Sequence, residues 1–197
     1  MASTHDYSND PRNDDILIYI NGKFFQRTEA KVSVLDSGYL LGDGVWEGIR
    51  LHNGYLIHLE EHLNRLYAGA EALDINIGLS KEQVKRALET TIQKNGMDSD
   101  VHIRLIVSRG LKRTPYQHPN ANEGGASIVI IPEYKKADPI LLIKGIRLCL
   151  VDTVRGAHNS QDPRLNTLSK LNCIVGCLEA DEKGFDEGIM LDMNGNV

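Results

Sequence analysis

Asn-Gly is the dipeptide that most constrains this chain. It follows strand-like apolar runs at Asn21-Gly22, Asn53-Gly54 and Asn194-Gly195, and occurs once more at Asn95-Gly96, where the glycine ends a helical pattern instead. Both central residues of a type I′ turn need positive φ, which Asn and Gly tolerate at least cost, so the dipeptide predicts two antiparallel strands joined by a tight hairpin. Ile16 to Ile20 is joined in this way to Lys23-Phe24-Phe25, and Val45 to His52 is joined to Tyr55-Leu56-Ile57. Glu187 to Asp192 leads into the last copy, with two residues after it. The expectation there is a chain that stops inside a hairpin and leaves a strand edge unpaired.

Between the hairpins the apolar period changes. Leu59, Leu63, Leu66, Tyr67, Ala70 and Leu73 recur at three- and four-residue intervals, which predicts a helix from His58. Ser80 with Gln83 forms a capping box that opens a second helix, and Gly96 ends it. Val101 to Ser108 and Ser127 to Ile131 read as strands, as does Ile143 to Val151; a helix is expected from Thr167 to Lys183. The polar residues 1–14 read as a disordered leader. The fold class this implies is α+β in two domains: a smaller N-terminal αβ domain over 15–134, a linker over 135–142, and the beginning of a larger domain over 143–197.

Charge and composition exclude several functions. A net charge of -5 with scattered Lys and Arg argues against nucleic acid. No apolar run is long enough to cross a bilayer, and the N-terminus lacks the apolar core of a signal peptide, so a cytoplasmic protein is expected. Cys149, Cys173 and Cys177 are an odd number without a secretion signal, which argues against a disulfide framework, and Cys173 and Cys177, one helical turn apart, read as buried small hydrophobes and not as a metal pair.

Several residues are candidates for chemistry. His58-Leu59-Glu60-Glu61-His62 matches the H-x-x-E-H zinc pattern in form, but no third ligand can be named, and no metal is expected. Gly42-Asp43-Gly44 precedes a strand and not a helix, so it reads as a turn and not a phosphate loop. Arg65, on the first helix, reads by type as an ordinary solvated or ion-paired arginine. Arg104 lies inside the apolar strand Val101-His102-Ile103-Arg104-Leu105-Ile106-Val107. A charge there either faces solvent by alternation or holds a buried anion, and residue type leaves both readings open.

The run from Ser37 to Arg50, with Gly42-Asp43-Gly44-Val45-Trp46-Glu47-Gly48-Ile49-Arg50 at its end, resembles the opening signature of the class IV (fold type IV) aminotransferases, which depend on pyridoxal 5'-phosphate. His62-Leu63-Asn64-Arg65-Leu66 resembles the family segment whose arginine binds the cofactor phosphate, which implies that role for Arg65. His102-Ile103-Arg104 resembles the aromatic-x-Arg strand that handles the substrate carboxylate in branched-chain aminotransferases, with His102 in the aromatic place. Gly184 to Asp192, with Asn194-Gly195, resembles a further family strand. The resemblance runs in order from Ile16 to Val197 and implies an enzyme truncated at its C-terminus.

That chemistry needs a lysine, because the cofactor is carried as an imine to its side chain. A gapless match of Arg164 to Asn172 onto the family segment puts Asn166 at the anchor, and an amide forms no imine. Lys170 follows one helical turn later, on the same face of the expected helix; it is either the catalytic lysine or an ordinary surface lysine. The resemblance implies transamination between an amino acid or amine and a 2-oxo acid, in a homodimer, with Arg65 and Asn166 on the cofactor side and Trp46, His102 and Arg104 on the substrate side. A lyase of the aminodeoxychorismate lyase type and a non-catalytic or truncated relative are the alternatives.

Overall fold

In a computed structural model, which describes residues 10–136 and 139–197, the chain contacts divide into two units. One runs to Lys135 and takes back Asn166–Ser169; the other holds Lys136–Leu165 and Lys170–Val197. The first unit is built on a six-stranded sheet. Strands β1 (Leu17–Ile20) and β2 (Lys23–Gln26) form the first hairpin, with Asn21 at φ 48° and Gly22 at φ 88°, as the type I′ turn requires. Strands β3 (Gly44–His52) and β4 (Tyr55–Leu56) repeat it, with Asn53 at 49° and Gly54 at 76°.

Ahead of β3 lies a short helix that periodicity did not reveal, α1 (Ser37–Leu41). Five residues are too few for an apolar period, and the helix depends on its caps: Asp36 accepts from the Gly38 N–H, and Gly42 closes it at φ 67°. Helix α2 (Leu59–Ala72) follows, and then α3 (Lys81–Lys94), opened by the Ser80–Gln83 capping box. Strand β5 (Val101–Ser108) precedes the small hairpin β6 (Leu111–Lys112) and β7 (Asn122–Glu123), and β8 (Ser127–Tyr134) completes the sheet. The order is β2-β1-β8-β5-β3-β4, all pairs antiparallel.

Alternation sorts the sheet into two faces. Val45, Ile49, Leu51, Val101, Ile103, Leu105, Val107 and Ile130 point to one side and are buried with Leu63, Leu66 and Ala70 of α2 and Val84 and Leu88 of α3. Side chains of this size contribute roughly 1.5–3 kcal/mol each when removed from water, so this face holds the unit together. The other face carries the half-buried residues discussed below. Outside the sheet, Gly110 sits at φ 97°, and a Cβ there would stand 2.1 Å from the Gly125 carbonyl oxygen. Gly110→Ala therefore meets both a backbone strain and a backbone overlap. It is expected to cost about 3 kcal/mol or more, read as a lower urea midpoint at unchanged slope.

The second unit contains α4 (Pro139–Lys144), β9 (Leu148–Leu150), α5 (Leu171–Glu182) and β10 (Glu187–Ile189), with β10 parallel to β9. Three expectations are corrected. Asp10 to Asp14, assigned to the disordered leader, is ordered: Pro11–Asn13 is a 3-10 turn, and Asn13, 2 % exposed, exchanges two hydrogen bonds with the Tyr134 backbone. Residues 1–9 lie outside the described residues, as do 137 and 138 of the expected linker. The apolar run from Ile143 splits between α4 and β9, because Pro139 starts a helix and Gly145, at φ 68°, ends it. The turn at Asn194-Gly195 is organised by Asp192, whose carboxylate accepts from the Asn194 and Asn196 N–H groups, and of the pair only Gly195 has positive φ. No helix among the described residues is long and apolar enough to cross a membrane.

Candidate functional site

The second face of the sheet brings Trp46, Gly48, His102 and Arg104 together. Gly48 pairs directly with Arg104 and Trp46 with Ile106, so the residues fall on adjacent strands on one side. The Arg104 guanidinium carbon lies 3.7 Å from the centre of a Trp46 ring, a cation–π stack. Burial pushes the Arg104 pKa below the usual arginine value, and no carboxylate among the described residues offsets it. Arg104 is thus half-buried and stacked, neither turned fully to solvent nor paired with an acid among the described residues. Gly48 makes room: a Cβ there would stand 2.9 Å from His102 Nε2, so only glycine leaves the imidazole its place. Beside this group the same face opens into a cleft of about 430 Å³ whose mostly apolar wall includes Ile18, Ile106, Val129 and Ile131, with Lys31 and Asp36 also in its lining.

Trp46 is held from its open edge. Strand β4 pairs with β3 only at Leu51 and His52, which leaves the peptide groups of Gly44 to Trp46 without a neighbour on that side. Asn166–Ser169 fills the place as an extended segment. Trp46 N–H donates to the Asn166 carbonyl at 3.0 Å, and the Leu168 N–H donates to the Gly44 carbonyl at 2.9 Å. The Asn166 side-chain amide donates to the Trp46 carbonyl at 2.6 Å, and the indole Nε1–H donates to the Thr167 carbonyl at 3.0 Å.

This overturns the helix expected from Thr167. Unpaired peptide groups on β3 offer residues 166–169 a ladder, so α5 begins only at Leu171, with Lys170 as its N-cap residue. An extended chain advances about 3.3 Å per residue against 1.5 Å in a helix, so Asn166 and Lys170 do not share a helical face.

On the core side of β3 lies a group that sequence reasoning missed. Glu47 is wholly buried, yet it carries a carboxyl group, and this points at α2. Arg65 Nε donates to its Oε1 at 2.7 Å and Nη2 to its Oε2 at 2.6 Å, while His62 Nδ1 lies 2.8 Å from Oε2. The bidentate pair holds the Arg65 pKa above its usual value. Arg65 keeps 55 % of its side chain exposed, so its outer N–H groups reach solvent. A signal for Glu47 was present: strict alternation from Val45 to Leu51 places it among core residues, where a carboxylate needs partners one helix away. The two histidines of the H-x-x-E-H pattern have different partners: His62 turns to Glu47, while His58, in the left-handed region at φ 51°, faces Glu61 at 3.8 Å. Among the described residues no cluster of three or more His, Cys, Asp or Glu is placed to hold a metal ion.

Pyridoxal phosphate, which the resemblance implies, therefore meets a fit at one end and a misfit at the other. Arg65 offers a half-exposed cation for its phosphate. Asn166 offers an amide already given to the Trp46 carbonyl, and no amine for its aldehyde.

Comparison with known proteins identifies the family. The sequence model of the family described as amino-transferase class IV matches residues 44–197. The chain is 37 % identical over 188 residues to branched-chain-amino-acid aminotransferase-like protein 2 of Arabidopsis thaliana, an alignment that covers 95 % of this chain and 33 % of that protein. It is also 37 % identical over 180 residues to a putative branched-chain-amino-acid aminotransferase of Methanocaldococcus jannaschii, covering 91 % of this chain and 61 % of that one. Among solved structures, the branched-chain aminotransferase of Thermoproteus uzoniensis with norvaline superposes at a TM-score of 0.80 and 28 % identity, over 91 % of this chain and 61 % of that chain. The chain thus spans about a third of the plant relative and about three fifths of the archaeal ones.

Proposed function

The chain belongs to the class IV amino-transferase family, and from that membership we propose that the protein transfers an amino group between an amino acid or amine and a 2-oxo acid. Pyridoxal phosphate is the cofactor of this reading, and supplies the electron sink when bound. The observation that carries it is the Arg104 guanidinium, stacked on Trp46 and unmatched by any carboxylate among the described residues. A planar cation with free N–H groups on a half-buried face is a receptor for a substrate carboxylate. The apolar cleft beside it takes an aliphatic side chain, which makes a branched-chain or similar amino acid the substrate class. Trp46 and His102 wall the carboxylate end, and Arg65 takes the cofactor phosphate. Lys170 is the lysine of this reading, and the protein works as a homodimer in the cytoplasm, where its three free cysteines stay reduced.

A second reading is favoured by one observation, the Asn166 amide spent on the Trp46 carbonyl. In it the protein binds the carboxylate partner and the cofactor without covalent capture, and catalyses nothing. Mixing the protein with pyridoxal phosphate, recording the visible absorption and reducing with borohydride separates the two. A label mapped to Lys170 supports transfer, bound cofactor without a label supports the second reading, and absence of binding overturns both. Under either reading, Arg104→Leu is expected to weaken binding of a 2-oxo acid at least tenfold by titration calorimetry.

A further inference from the structure

Glu47 lies on the opposite side of β3 from Trp46 and touches neither Arg104 nor the apolar cleft, so the substrate side gives no reason for a carboxylate in the core. Its two oxygens are both used. Oε1 takes the Arg65 Nε–H, and Oε2 takes an Arg65 Nη2–H together with His62 Nδ1. His62 Nδ1 lies within hydrogen-bond reach of Oε2, and the tautomer with its proton on Nδ1 is the one that donates to a carboxylate. Glu47 is 0 % exposed, and the His62 and Arg65 side chains are 22 % and 55 % exposed. The most deeply buried member of the group is thus the anion, and the arginine projects from it toward water.

We infer that Glu47, steadied by His62, is a positioning residue that fixes the plane of the Arg65 guanidinium and so sets the affinity for a phosphate monoester. The inference rests on the reading that Arg65 takes the cofactor phosphate. A free arginine loses rotamer freedom when it binds an anion, a cost on the order of 1–2 kcal/mol. Here that freedom is already lost in the folded protein, because one edge of the guanidinium is locked onto a carboxylate that cannot move in the sheet. The other edge keeps Nη1 and the outer Nη2 hydrogen, a second fork of the right shape for two phosphate oxygens. His62 holds Oε2 from the side and keeps the carboxylate from rotating away from Arg65.

Pyridoxal phosphate and pyridoxal differ only in the phosphate group, so the ratio of their affinities isolates this end of the ligand. Both are titrated into the wild-type protein, Arg65→Gln, Glu47→Gln and His62→Gln, with bound ligand read by quenching of Trp46 fluorescence and folding by thermal melt. The expected result is that Arg65→Gln lowers the ratio at least tenfold. Glu47→Gln lowers it about fivefold, and His62→Gln about twofold, with pyridoxal affinity unchanged in each. A structural role alone lowers the melting temperature or both affinities together and leaves the ratio where it was. A fallen ratio in Arg65→Gln with an unchanged ratio in both Glu47→Gln and His62→Gln overturns the inference and leaves Arg65 as phosphate ligand. An unchanged ratio in Arg65→Gln overturns the phosphate reading, and the positioning role with it. If Glu47→Gln does not fold, His62→Gln decides, because His62 is partly exposed and contributes a single contact to Glu47.

Discussion

Replacing Asn166 with lysine is expected to give a protein that borohydride labels at position 166 in the presence of pyridoxal phosphate, where the unsubstituted chain takes no label there. The change is from none to stoichiometric, because an amide cannot condense with an aldehyde and an amine can. The cost to the fold is small. The Asn166 side chain gives one hydrogen bond, to the Trp46 carbonyl, and its loss is worth about 1 kcal/mol. The backbone ladder between residues 166–168 and β3 remains, since Trp46 N–H to Asn166 O and Leu168 N–H to Gly44 O involve no side chain. Peptide mapping after reduction is the measurement. A folded Asn166→Lys protein that binds the cofactor without a label at 166 would show that this position does not face the aldehyde. A label on Lys170 in both proteins would support Lys170 as the imine lysine and would remove position 166 from the aldehyde.

How far such a site is legible in sequence depends on how local its causes are. Asn21-Gly22 and Asn53-Gly54 decide their own turns through φ, and both hairpins and their strands appear as expected. The capping box of α3 is equally local and equally legible. Trp46, His102 and Arg104 were reached through the family resemblance of the segments that carry them; alternation added that His102 and Arg104 share one face of their strand, and the pairing that sets Trp46 beside them appears only in the fold. Asn166 was different. Whether residues 166–169 coil or extend is decided by an open strand edge more than a hundred residues earlier in the chain, at Gly44 to Trp46, and their own apolar spacing suits a helix as well. A bridge between segments so far apart leaves no trace in a window of eighteen residues. Glu47 belongs to the same class: its partners His62 and Arg65 are visible as residues, but the contact exists only once α2 lies across β3.

Substituting the two members of that buried pair one at a time is expected to give unequal losses. Arg65→Leu removes both charge-assisted bonds and leaves a wholly buried carboxylate with His62 as its remaining partner. Breaking a buried ion pair from one side costs about 3–5 kcal/mol when the survivor stays dry. The half-exposed approach of Arg65 lets some water in, so the lower end, about 3 kcal/mol, is the expected loss in urea unfolding. Glu47→Leu is expected to cost about 1 kcal/mol or less, because the stranded partner is then the arginine, which returns its guanidinium to water, and a leucine suits the apolar face between Val45 and Ile49. The double variant should recover most of what Arg65→Leu loses, a coupling of about 2 kcal/mol in the cycle. Equal single losses, or a double variant no better than Arg65→Leu, would mean that the carboxylate is reached by solvent. The asymmetry follows from which charge the sheet encloses: Glu47 is tied to β3 and to the core, so it can serve as the fixed point, and Arg65, half in water, is the one that can meet a ligand.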